Sequence, residues 1–129
     1  MTENAKPDRS INGVNGMVVF TYTDDLAKGC RLWEQVLGLT CAVDQGVCRI
    51  YQTAPTAYVG VCTLSDRPRD PAGVTISLLA DDVDAMAGKI IAAGYQVIFG
   101  PAYAEEFDVY TCIFLNDDGY RVEIQRFGR

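Results

Sequence analysis

Apolar positions along the chain switch between two periods, and each switch marks an element. Residues 17–23 (Met-Val-Val-Phe-Thr-Tyr-Thr) are rich in β-branched and aromatic side chains and predict a strand. Leu26, Cys30, Trp33 and Leu37 then recur at i, i+4, i+7 and i+11, one face of an α-helix. Asp24 or Asp25 is placed to cap its start and Gly38 to end it. Three strands follow, over 39–43, 47–52 and 57–63, separated by the turn-forming runs Asp44-Gln45-Gly46 and Thr53-Ala54-Pro55.

A polar stretch over 65–73 with two prolines reads as a linker, and then the pattern restarts. Residues 74–80 predict a strand, Asp81-Asp82 a helix start, and Val83, Met86 and Ile90 a helical apolar face that Gly94 ends. Strands are expected from 95–99, over 109–115 and over 120–126, the last two joined by a tight turn at Asn116-Asp117-Asp118-Gly119. The two Asp-Asp pairs lie 57 residues apart, so the chain reads as a duplicated strand–helix–strand–strand–strand unit. The expected organisation is a flexible tail over 1–12 and one domain over 13–129. That domain holds module one at about 15–63, a linker over 64–73 and module two at about 74–128.

Composition narrows the chemistry. A length of 129 residues suits one compact domain, and a net charge of −6 disfavours nucleic-acid binding, which depends on clustered cations. No apolar run is long enough to span a membrane, and the N-terminus has no signal-peptide pattern, so a cytoplasmic, membrane-free protein is expected. The absence of histidine removes imidazole acid–base chemistry and His-based metal sites. The five cysteines are odd in number, lack a Cys-x-x-Cys pair and have apolar neighbours, as buried thiols in a reducing compartment would.

The sequence resembles the vicinal oxygen chelate superfamily of glyoxalase I, bleomycin-resistance proteins and extradiol dioxygenases. The resemblance is carried by Asp25-Leu26 leading to the 32–39 run Leu-Trp-Glu-Gln-Val-Leu-Gly-Leu, and by the second module's Asp81-Asp82-Val83-Asp84-Ala85 and Ala92-Ala93-Gly94. It continues through the closing segment from Phe114 to Phe127, with Asn116-Asp117-Asp118-Gly119-Tyr120 and Glu123. It implies an α+β fold of two βαβββ modules whose mixed sheets curl into a cup around a small-molecule site. It also implies a homodimer and four metal-ligand positions. These fall on Met17 or Val18, on Gly60 or Val61, on Val74 or Thr75, and on Glu123. Only Glu123 carries a donor of the usual kind, so the expected cofactor is none and a divalent metal is disfavoured.

Alternation along the last strand puts Val122 and Ile124 on one face and Arg121, Glu123 and Gln125 on the other. Glu123 is the candidate catalytic or ligand-contacting carboxylate, with Gln125 as a polar handle beside it; were the acid structural, Arg49 or Arg121 would pair with it. Tyr51, Tyr58, Tyr110 and Phe114 lie on strands expected to line the cup, where aromatic walls with polar tips suit a small ligand. Gly100 opens the longest loop of the second half, ending at Asp108. As a lid it would bring Tyr103 or Phe107 to the ligand. The function expected is binding of a small, partly aromatic or apolar molecule. The alternative is a lyase, isomerase or dioxygenase-type enzyme using Glu123 as base or as remaining metal ligand.

Overall fold

The computed structural model describes residues 11–129. Strand β1 (Met17–Tyr22) leads into helix α1 (Leu26–Arg31), which runs on as a π-helical turn over Leu32–Val36. Asp25 is the cap: its carboxylate accepts from the amides of Ala27 and Lys28 at 3.1 and 3.4 Å. The π turn closes through the Leu37 amide on the Leu32 carbonyl, and Gly38 at φ 66° ends the helix in the left-handed region. Strands β2 (Cys41–Asp44), β3 (Cys48–Ala54) and β4 (Ala57–Cys62) complete the unit.

The second unit repeats the plan. It comprises β5 (Thr75–Leu79), α2 (Val83–Ala92), β6 (Val97–Ala104), β7 (Val109–Leu115) and β8 (Arg121–Phe127). Asp82 caps α2 through the Ala85 amide at 2.9 Å, and Gly94 ends it at φ 92°. The two four-stranded mixed sheets have the same order, β1-β4-β3-β2 and β5-β8-β7-β6, each with its first and last strands parallel. The architecture is therefore the α+β pair of βαβββ modules that the repeat implied.

Each helix covers one face of its own sheet. Cys30, Leu32, Trp33, Tyr51, Val59 and Val61 from the first unit merge with Val83, Ala87, Ile90, Phe114, Val122 and Ile124 from the second into one buried apolar cluster. Polar contacts fasten the units around it. The Tyr22 amide donates to the Tyr120 hydroxyl at 3.1 Å, the Thr23 hydroxyl donates to Asp118 at 2.8 Å, and Arg31 donates to the Ala93 carbonyl at 2.9 Å. The sheet faces turned away from the helices stay open, with Val18, Phe20 and Val43 exposed on the first and Phe99 on the second.

Two expectations are corrected here. The segment from Gly100 is not a long loop, because β6 continues through Ala104 along the free edge of β7 and leaves only residues 105–108 as a turn. A register shift between Phe99 and Ala102 absorbs Pro101, which an edge strand tolerates because its amide need not join the ladder. The cysteines are not all free thiols. Cys48 and Cys62 stand directly opposite across β3 and β4 and form a disulfide. Cys30 and Cys112 are buried thiols and Cys41 a half-buried one; burial pushes the Cys30 and Cys112 thiols up from their ordinary range.

Candidate functional site

The open face of the second sheet carries a row of polar side chains crossing three strands. Strand register puts Ser77 of β5 beside Glu123 of β8, and Thr111 of β7 beside Gln125. Because Val122 and Ile124 are anchored in the core, Arg121, Glu123 and Gln125 must face the other way. Thr111, a residue 2% exposed, donates its hydroxyl to Glu123 Oε2 at 2.7 Å. The Gln125 amide donates to Glu123 Oε1 at 3.2 Å and reaches the Ser77 hydroxyl at 2.6 Å. Glu123 is thus half-buried with both oxygens oriented by neutral donors.

Thr111, Arg121 and Glu123 line a cleft of about 530 Å³. Phe99 and Ile113 form its apolar wall, and Glu105, Glu106 and Phe107 at the β6–β7 turn form its rim. Every lining residue belongs to the second unit. A volume of this size falls in the range of small-molecule pockets, and the mix of apolar walls with a few placed polar groups is their usual composition.

The other expected site residues scatter. Tyr51 is fully buried on the helix side, where its hydroxyl donates to Glu34 on the π turn at 2.8 Å. That burial pushes its phenol far above the ordinary range. Phe114 is fully buried as well, in an edge-to-face contact with Tyr95. Tyr110 leaves the cup too: its hydroxyl donates to Asp84 on α2 at 2.6 Å, and Arg126 lies over its ring. The reason is strand parity. Register pairs Phe114 with Val122 and Cys112 with Ile124, so the whole even-numbered set of β7 follows Val122 and Ile124 into the core. Tyr58 is half-buried beside Gln52 on the first sheet, opposite in strand parity to the inward-facing Val59 and Val61, and lies outside the cleft. Tyr103 does reach the cleft, with its hydroxyl bonded to Asp108 and Arg129 over its ring.

Neither candidate arginine pairs with Glu123. Arg49 lies by Glu34 and Asp44, and Arg121 forms no ion pair among the described residues. Thr111 and Ser77, which orient the site, were missed because a threonine or serine on a strand carries no signal until register brings it to a carboxylate.

The four implied ligand positions can now be tested against their surroundings. Val61 is core, so the fourth-strand position is Gly60, and the ring of Phe20 covers it closely enough that an added Cβ would lie 2.5 Å from a ring carbon. Val18 offers an aliphatic chain and Thr75 a single hydroxyl. Glu123, the one carboxylate, already accepts from Thr111 and Gln125. Among the described residues no three His, Cys, Asp or Glu side chains gather as a metal site. This donor set does not fit a divalent ion.

Comparison with known protein families returns no match, and neither does comparison with curated protein sequences. Solved structures do match. A lactoylglutathione lyase from Agrobacterium tumefaciens superposes with a TM-score of 0.69 at 17% identity, over 93% of this chain and 95% of that one. A glyoxalase/bleomycin resistance protein/dioxygenase family enzyme from Burkholderia phytofirmans PsJN gives 0.69 at 17% identity, over 84% and 95%. A glyoxalase/bleomycin resistance protein/dioxygenase from Nocardioides gives 0.70 at 13% identity, over 94% and 88%. At such identities the likeness is one of fold.

Proposed function

We propose that this chain, which has the glyoxalase/bleomycin resistance/dioxygenase fold, binds a small, partly aromatic or apolar organic molecule in the second unit's cleft without a divalent metal. The observation that carries the reading is Glu123 at the floor of a cleft walled by Phe99 and Ile113, its carboxylate oriented by Thr111 inside the cleft and by Gln125 from beside it. Apolar walls supply affinity through burial, and Glu123 with Thr111 supplies directional contacts at a fixed place. The poor donor set supports the metal-free part of the reading.

The protein acts as a homodimer in this reading. The cleft is built from one unit alone, while the first sheet leaves Val18, Phe20 and Val43 exposed, uncovered by any of the described residues. Pairing two copies about a two-fold axis would bury both faces and close the cup.

A second reading is favoured by one detail, the two donors that hold the Glu123 carboxylate in a set direction. A carboxylate so oriented can take a proton from a bound carbonyl compound or similar carbon acid, as a metal-independent lyase or isomerase requires. Glu123→Gln separates the two readings. It removes turnover with little change in affinity if the residue is a base, and alters affinity alone if the protein only binds.

Native mass spectrometry of protein purified without chelator tests the main reading. The expected spectrum is a dimer that is bare or carries an organic mass. A stoichiometric divalent ion per chain would overturn the metal-free reading, and a monomer would overturn the shared cup.

A further inference from the structure

Glu123 is a half-buried carboxylate without a counter-ion among the described residues. Its partners, the Thr111 hydroxyl and the Gln125 amide, are neutral. No salt bridge among the described residues involves it, although Arg121 shares its face two positions away. Withdrawing a carboxylate from water without pairing it costs free energy, and a cation entering the cleft would recover that cost.

The surroundings point the same way. Glu105 and Glu106 stand at the rim against the single guanidinium of Arg121. Counting also Asp108 and Arg129, which meet at Tyr103 on the cleft's edge, carboxylates still outnumber guanidinium groups four to two. Phe99 is 41% exposed and Phe107 70% exposed, so two aromatic faces stand open at the same cleft. A positive group beside a carboxylate and against aromatic rings gains from both, the second through the ring quadrupole.

Resting on the small-molecule reading above, we infer that the ligand is an organic cation: an ammonium or amidinium group carried on an aromatic or apolar body. The charged group sits at Glu123, and the body lies between Phe99, Ile113 and Phe107. Thr111 and Gln125 hold the carboxylate in place and do not themselves select the charge.

Three probes of one shape and different charge test this: 1-naphthylmethylamine, 1-naphthalenemethanol and 1-naphthoate, titrated calorimetrically into the full chain. The amine is expected to bind about tenfold or more tightly than the alcohol, with the carboxylate weakest. Its affinity should fall as salt rises while that of the alcohol holds. Glu123→Gln should bring the amine down to the level of the alcohol. The exposed double variant E105Q/E106Q, which leaves the core untouched, should lower amine affinity about two- to threefold at low salt, and it keeps the test decisive if Glu123→Gln does not fold. Equal binding of the three probes, preference for the carboxylate, or an amine preference unaffected by salt and by both variants would overturn the cation assignment. If the alcohol or carboxylate binds and the amine does not, the cation assignment falls and the small-molecule cleft stands. If none of the three binds, both fall.

Discussion

Thr111, almost wholly buried, and Glu123 sit on adjacent strands, and the threonine hydroxyl meets the glutamate at 2.7 Å. That contact ties a core-anchored strand to the carboxylate on the cleft floor. Thr111→Val keeps the shape and removes the donor. The expected result is a loss of about 1–2 kcal/mol in denaturant stability, together with weaker ligand binding because Glu123 is no longer fixed. An unchanged denaturation midpoint and unchanged affinity would show that the contact does not organise the site.

The same strand sets a second requirement. Gly100 has φ 78°, and a Cβ there would lie 2.2 Å from the Thr111 carbonyl oxygen. Gly100→Ala must move β6 away from β7, the strand that holds Thr111. A cost of about 2 kcal/mol or more is expected, with chemical-shift changes centred on Thr111 and Glu123. Wild-type stability in this variant would contradict the close approach.

The disulfide gives a count. Alkylation of the denatured protein without reductant should label three cysteines, and all five after reduction. The double variant C48A/C62A should lose about 3 kcal/mol, the size expected from closing a loop of this length. Five labelled thiols before reduction in protein isolated under alkylating conditions would instead return the chain to the reducing compartment expected from its sequence.

Alkaline pH should weaken the fold in a defined window. Burial and the Asp117 carboxylate push the Tyr95 phenol up to about 12 from an ordinary value of 10.0. The folded state therefore prefers the neutral phenol. The stability this contributes is complete below about pH 10 and is lost as pH rises through 12. Tyr51 is shifted the same way by burial, and Lys28 is held charged by Asp24, so both add to the decline. Denaturant midpoints between pH 8 and 12 should fall steadily above 10, and Tyr95→Phe should flatten part of that fall. An identical pH profile in the variant would remove Tyr95 from the account.

Much of the site was within reach of the sequence through a single strand. Alternation over β8 placed Glu123 and Gln125 together because Val122 and Ile124 leave little choice of which side is core. The same parity carried across the β7–β8 register would have sent Phe114 and Tyr110 inward and brought Thr111 to Glu123. β3 was harder to read, since Ile50 and Tyr51 are apolar on opposite faces and both end up buried. Register with β4 decides between them: Tyr51 stands opposite the core residue Val59 and reaches Glu34 on the π turn, while Ile50 stands opposite Gly60.

Local patterns thus determined what local physics controls: the two capped helices, the glycine stops, the strand-rich duplication and the outward face of β8. Periodicity and backbone preference act within a few residues, so one chain's order of residues is enough to state them. Tertiary structure decided everything that depends on which strand lies beside which. The Cys48–Cys62 bridge, the continuation of β6 past Pro101, the covering of Gly60 by Phe20 and the row from Ser77 to Thr111 all join residues distant in sequence. Their partners are fixed by register and by burial against a shared core, and a one-residue change of register would dissolve each of them.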